Sequence, residues 1–110
     1  MHSCGNVTSI LEDLNEAGVD VMNISQPNVV QLEQVGRKLK GSQCFEVPIS
    51  YQTVSISGTP DEIMAEGRRL YSLLASEKGG FIGYVEEYGC MGMSEENFNA
   101  CIKAFRQLQA

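Results

Sequence analysis

The chain's single histidine, His2, stands two residues before Cys4 in the opening HSCGN, a pair of residue types that can serve as metal ligands. On an extended backbone residues i and i+2 face the same side, so imidazole and thiolate can be offered to one ion. Two ligands make half a site. Catalytic zinc commonly takes three protein ligands, two Cys and one His being a known set, and keeps a fourth position open. A substrate thiol bound there would be held as thiolate, a nucleophile at neutral pH. Of the other cysteines, Cys44 falls within a short apolar stretch and Cys101 on the apolar face of the last helical stretch, the surroundings of small core residues. Glu86 and Glu87, beside Tyr88, either line an active mouth or are solvated loop carboxylates. Ser50, Tyr51 and Gln52 are candidate substrate contacts, with a buried tyrosine satisfying its own hydroxyl as the alternative. Gly79-Gly80 lacks a phosphate-binding pattern, and Met91 and Met93 read as packing.

The 110 residues, 43% hydrophobic and 20% charged, describe a single ordered domain. A net charge of −6, with eight scattered Lys and Arg, argues against a nucleic-acid surface, because neutralising phosphates takes clustered cations. No apolar run approaches the roughly 20 residues needed to span a bilayer, and the start lacks the order of a signal peptide. The expected location is the cytoplasm, with no membrane partner. Four cysteines can pair in principle, but a secreted disulfide scaffold is normally smaller and poorer in long helices, so free thiols or metal ligands fit better.

The elements that must position these residues alternate. VTSILEDLNEAG places Val7, Ile10, Leu11, Leu14 and Ala17 on one helical face, closed by Gly18. A strand at Val19 to Ile24 follows, then the breaker SQPN and a helix carrying Val29, Leu32, Val35 and Leu39, closed by Gly41. CFEV at 44–47 is a second strand and PISYQTVSIS a long loop. Thr59, Pro60 and Glu62 form a capping box that opens a third helix running to about Ala75. FIGYV at 81–85 is a third strand; after EEYGCMGM, Ser94 caps a last helix that turns Phe98, Cys101, Ile102 and Phe105 inward. The predicted order is α-β-α-β-α-β-α.

Short apolar strands separated by amphipathic helices imply parallel pairing, either in an open doubly wound sheet or in an arc of a (β/α)8 barrel. In a complete barrel HSCGN would follow the carboxyl end of a strand. Only Met1 precedes it, so that strand is expected to be missing.

HSCGNVTSILEDLNEAGVDVMNISQP, SGTPDEI and GFIGYVEEYGCMGMSEENFNACIKAF together resemble the C-terminal part of the uroporphyrinogen decarboxylase superfamily. Its members fold as one (β/α)8 barrel, of which this chain would be roughly the last third, about three β/α units of a single partial domain over residues 1–110. The His-x-Cys-Gly opening resembles the zinc- and cobalamin-dependent methyltransferase branch, which includes methylcobalamin:coenzyme M methyltransferases. The resemblance implies zinc held by His2, Cys4 and, from its place after the last strand, Cys90, with Cys44 as the substitute third ligand. It also implies a methylcorrinoid co-substrate, as a corrinoid protein or free cobalamin, and a thiol-type small molecule as methyl acceptor. Asn23 and Gln26 stand where some zinc methyltransferases offer an acidic residue; with Tyr51, Gln52 and Glu86 they are the expected substrate contacts.

Two other functions fit the same resemblance: a metal-independent decarboxylase, and a non-catalytic half-barrel that serves assembly. On any of these readings the chain is expected to be the end of a longer enzyme. A barrel arc leaves unpaired edges, which predicts self-association or a separate chain supplying the remaining units.

Overall fold

The computed structural model describes residues 1–86 and 92–108. Four strands, β1 (His2–Ser3), β2 (Val21–Ile24), β3 (Cys44–Pro48) and β4 (Phe81–Tyr84), alternate with helices α1 (Leu11–Glu16), α2 (Leu32–Leu39), α3 (Pro60–Leu74) and α4 (Glu95–Gln107). The strands are all parallel and lie side by side in chain order, β1-β2-β3-β4. This is an α/β fold with a parallel sheet. Among the described residues no helix is long and apolar enough to cross a membrane.

Period-two alternation gives the sheet two unlike faces. Met22, Ile24, Phe45 and Val47 are fully buried beneath the helices and pack with Leu11, Leu32, Ile63 and Leu70. The register Met22↔Phe45↔Phe81 fixes that face, and the next row, His2↔Asn23↔Glu46↔Ile82, therefore lies on the other. Asn23 and Glu46 are half-buried and Ile82 is 46% exposed, so no described helix covers this side.

The sequence predicts three strands; the sheet has four. The strand expected to be missing is β1 itself. The Asn23 N–H donates to the Met1 carbonyl at 2.7 Å, the Ser25 N–H to the Ser3 carbonyl at 3.3 Å, and the Met1 amine to the Val21 carbonyl at 2.7 Å. This pairing needs only backbone, so it carries no apolar pattern to be read.

Helix starts follow local chemistry closely. The Thr59 hydroxyl accepts the Glu62 N–H at 3.2 Å while the Glu62 carboxylate accepts the Thr59 N–H at 3.4 Å, completing the capping box. The Ser94 hydroxyl accepts the Asn97 N–H at 3.1 Å. Gly18 and Gly41 follow α1 and α2 in the left-handed region, as expected. Two inward faces differ from expectation. Thr8–Ile10 is a tighter 3₁₀ turn, whose different period leaves Ile10 exposed and only Val7 and Leu11 fully inside. On α4 the buried side is Asn97, Ala100, Cys101 and Ala104, with Phe98, Ile102 and Phe105 only half-buried. Small residues face inward there because α4 lies close on α3: a Cβ added at Gly67 would stand 3.1 Å from that of Ala104.

Candidate metal centre

Every described strand ends at the same side of the sheet, and the His2–Cys4 pair stands there, at the carboxyl end where parallel α/β folds place their chemistry. β1 supplies the extended backbone that sends both side chains to the uncovered face. The chain after Cys4 is pinned: the Gly5 N–H donates to Gln26 Oε1 at 2.6 Å, Thr8 closes on Asn6 Oδ1, and the Thr8 hydroxyl accepts the Gln31 N–H at 3.0 Å. Gln26 therefore fixes the loop that carries Cys4.

His2 Nε2 and Cys4 Sγ stand 3.6 Å apart. Zinc–nitrogen and zinc–sulfur bonds of about 2.0 and 2.3 Å at a tetrahedral angle would place their donor atoms about 3.5 Å apart, so the spacing of the pair is compatible with two corners of a zinc tetrahedron. Both residues are exposed, which leaves the ion an entry path. On its other side the imidazole meets Asn23, Nδ1 against Oδ1. Asn23 Nδ2 donates to the Glu46 carbonyl at 3.1 Å and to the Tyr84 hydroxyl at 3.0 Å, and Tyr84 donates to Glu86 Oε1 at 3.0 Å. A chain of hydrogen bonds thus runs across all four strands from Cys4 to Glu86.

The electrostatics suit a thiolate ligand. The Ser25 hydroxyl lies 3.1 Å from Cys4 Sγ and, with His2, holds the thiol below its ordinary pKa. That hydroxyl also lies 3.3 Å from the Ser3 carbonyl; its single proton goes to the stronger acceptor, which is the sulfur once ionised. His2 is raised above its ordinary value, first by the Asn23 hydrogen bond and then by Cys4. Burial, and then the carboxylate of Glu86, keep Tyr84 protonated far into the alkaline range.

Of the sequence-predicted residues, the structure brings His2, Cys4, Asn23 and Glu86 into one network. Cys90, with Glu87, Tyr88 and Met91, lies outside the described residues. Cys44 is not brought to the pair: β3 is two strands from β1, roughly 10 Å at the usual spacing, and Cys44 sits two rows nearer the amino end than His2. Burial raises its thiol, and Cys101, a core residue on α4, is pushed up to about 11. Among the described residues no three His, Cys, Asp or Glu side chains converge as a metal-binding group. Tyr51 is half-buried and Gln52 exposed in the loop after β3, and no described hydrogen bond joins either to the network. Ser50 instead donates to Asn28 Oδ1 at 3.0 Å, and Met93 belongs to the core.

Sequence reasoning missed Tyr84 and Ser25. Alternation in FIGYV puts Tyr84 on the face opposite Phe81, but which strands neighbour β4, and in what register, is not written in it. A broad cavity of about 900 Å³ lies at the other end of the sheet, between Lys40, Ser42, Tyr71, Ser76 and Lys78, and touches none of the network. No family model, curated protein or solved structure matches the chain.

Proposed function

We propose that this chain is the zinc-binding, C-terminal part of a (β/α)8-barrel methyltransferase similar to the cobalamin-dependent branch of the uroporphyrinogen decarboxylase superfamily. The observation that carries the reading is the 3.6 Å between His2 Nε2 and Cys4 Sγ at the carboxyl end of a parallel sheet. A strand order that follows the chain, with helices over one face only, supports a barrel arc over a doubly wound sheet, where the order reverses. His2 and Cys4 hold the ion, with Cys90 as third ligand. Zinc at this place would supply a Lewis acid that keeps an acceptor thiol ionised at neutral pH. The methyl group comes from a corrinoid, carried by a partner protein or free. The chain's own residues fix the ligands: β1 and Gln26 hold the backbone of the pair, and Ser25 stabilises the Cys4 thiolate. Substrate contacts fall to Tyr51, Gln52 and Glu86 around the same mouth. The reading places the protein in the cytoplasm, where its thiols stay reduced.

The test is elemental mass spectrometry on protein purified without a histidine tag, reconstituted under reducing conditions. About one zinc per chain, lost in both Cys4→Ala and Cys90→Ala, is the expected result. A metal-free parent sinks the methyltransferase reading and leaves the metal-independent decarboxylase to be assayed. Zinc that survives Cys90→Ala but not Cys4→Ala keeps the centre and removes Cys90 from it.

A further inference from the structure

The uncovered face holds a sequence of donors and acceptors that admits only one direction. The Glu46 carbonyl has no hydrogen to give, so the Asn23 atom facing it is the amide nitrogen. That nitrogen has two hydrogens, and the second goes to Tyr84, whose own hydrogen is committed to the Glu86 carboxylate. Oδ1 is thereby turned toward His2, and an amide oxygen only accepts. The ring nitrogen opposite it, Nδ1, must then carry the hydrogen. A neutral imidazole has one N–H, so Nε2 keeps its lone pair, on the side of the ring that faces Cys4. Both amide hydrogens of Asn23 are spent inside the network, which leaves it no donor for a substrate.

We infer that Asn23 is a positioning residue: held by the Glu46 carbonyl and Tyr84, it locks His2 as the Nδ1–H tautomer and so presents Nε2 beside Cys4 as a ready metal ligand. Histidine ligands commonly give their second N–H to a carboxylate, a backbone carbonyl or water, which fixes the tautomer and ring orientation. Here a side-chain amide does so, and its own orientation is set by the neighbouring strand β3 and by Tyr84 on β4. The inference deepens the zinc reading and rests on it for the purpose of the lock; the lock itself exists without metal.

Two readouts on the full chain test it. Long-range proton–nitrogen NMR of the metal-free parent, at a pH where the imidazole is neutral, reports which ring nitrogen is protonated. Nδ1–H is expected; Nε2–H in the parent overturns the inference without any variant. Zinc affinity, measured by competition with a chromophoric chelator, is expected to fall roughly 10- to 100-fold in Asn23→Leu, with the imidazole leaving the Nδ1–H form. Asn23→Asp keeps an acceptor for Nδ1–H and is expected to keep the Nδ1–H tautomer, though it loses the donor that faces the Glu46 carbonyl. Far-UV circular dichroism on each variant guards against misfolding. If Asn23→Leu retains both the Nδ1–H tautomer and the parent's affinity, Asn23 positions nothing. A parent that binds no zinc refutes the metal reading, while its tautomer still decides whether the lock is there.

Discussion

Cys4 differs from the other described thiols in ways that chemistry can read. Its sulfur is exposed and accepts stabilisation from Ser25 and His2, which lowers its pKa, whereas burial raises Cys44 and pushes Cys101 up to about 11. Because the thiolate is the reactive form, iodoacetamide at mildly alkaline pH should alkylate Cys4 well before Cys44, and Cys101 last, by timed peptide mass mapping. Zinc should protect Cys4 selectively; equal rates at the three sites would contradict the geometry. Under the proposed reading, the Cys4 shift and that of His2 set the sign of the pH dependence of zinc binding. A proton on His2 competes with the ion, and His2 holds its proton above the ordinary histidine range, so zinc affinity should already weaken on acidification at a pH above about 6.5. The lowered Cys4 thiol competes with the ion less than an ordinary cysteine would, since it releases its proton more readily. Zinc titrations across that range check the onset, and an affinity flat down to pH 6.5 would be the contrary outcome. At this scale the proximity of His2 and Cys4 was legible from two residue types at spacing two. The orientation of His2 was not, because it depends on Asn23, Glu46 and Tyr84 meeting across strands, and pairing register is invisible to a linear pattern.

Among the elements, those whose ends are fixed by neighbouring side chains were the easiest to read, and those fixed by distant backbone the hardest. The Thr59–Glu62 box announces α3, and Thr59→Ala should cost about 1 kcal/mol of stability in urea unfolding. β1 has two residues and no apolar alternation, and exists because β2 offers it a ladder. A third case lies between α2 and α3. Gly36 sits inside α2, where glycine is a poor helix former and where alanine would ordinarily gain about 1 kcal/mol. An added Cβ there would run into the backbone carbonyl of Leu73 on α3, which cannot rotate aside like a side chain. Overpacking of this kind costs roughly 1–3 kcal/mol, and a fixed backbone partner belongs at the upper end. Gly36→Ala should therefore destabilise by about 1–2 kcal/mol despite the better propensity. A variant as stable as the parent would mean the two helices can separate without loss.

For the molecule as a whole, the decisive dimension is its thickness. Principal extents of 39 × 29 × 18 Å describe a slab of one sheet under one layer of helices. Parallel sheets are otherwise found covered on both faces. Here the second face carries Asn23, Glu46 and Tyr84 in a satisfied polar network, with Ile82 beside them at 46% exposure. Such a face is too polar to be a buried core, although Ile82 and half-buried Val21 lie on it as well. Under the proposed reading this face would line a barrel that neighbouring units enclose. Among the described residues β1 and β4 each pair on one side only, which leaves an edge at either end of the described sheet. Under the proposed reading the protein should therefore associate, either with itself or with a chain that supplies the remaining units. Sedimentation velocity across the micromolar range should show a weight-average mass that rises with concentration. Ile82→Lys, which places a charge on the uncovered face without touching the core, should shift the distribution toward monomer while leaving the circular dichroism spectrum unchanged. A parent that stays monomeric throughout would mean that this face is stable in water as it stands, and the partial-barrel reading would lose its main physical consequence.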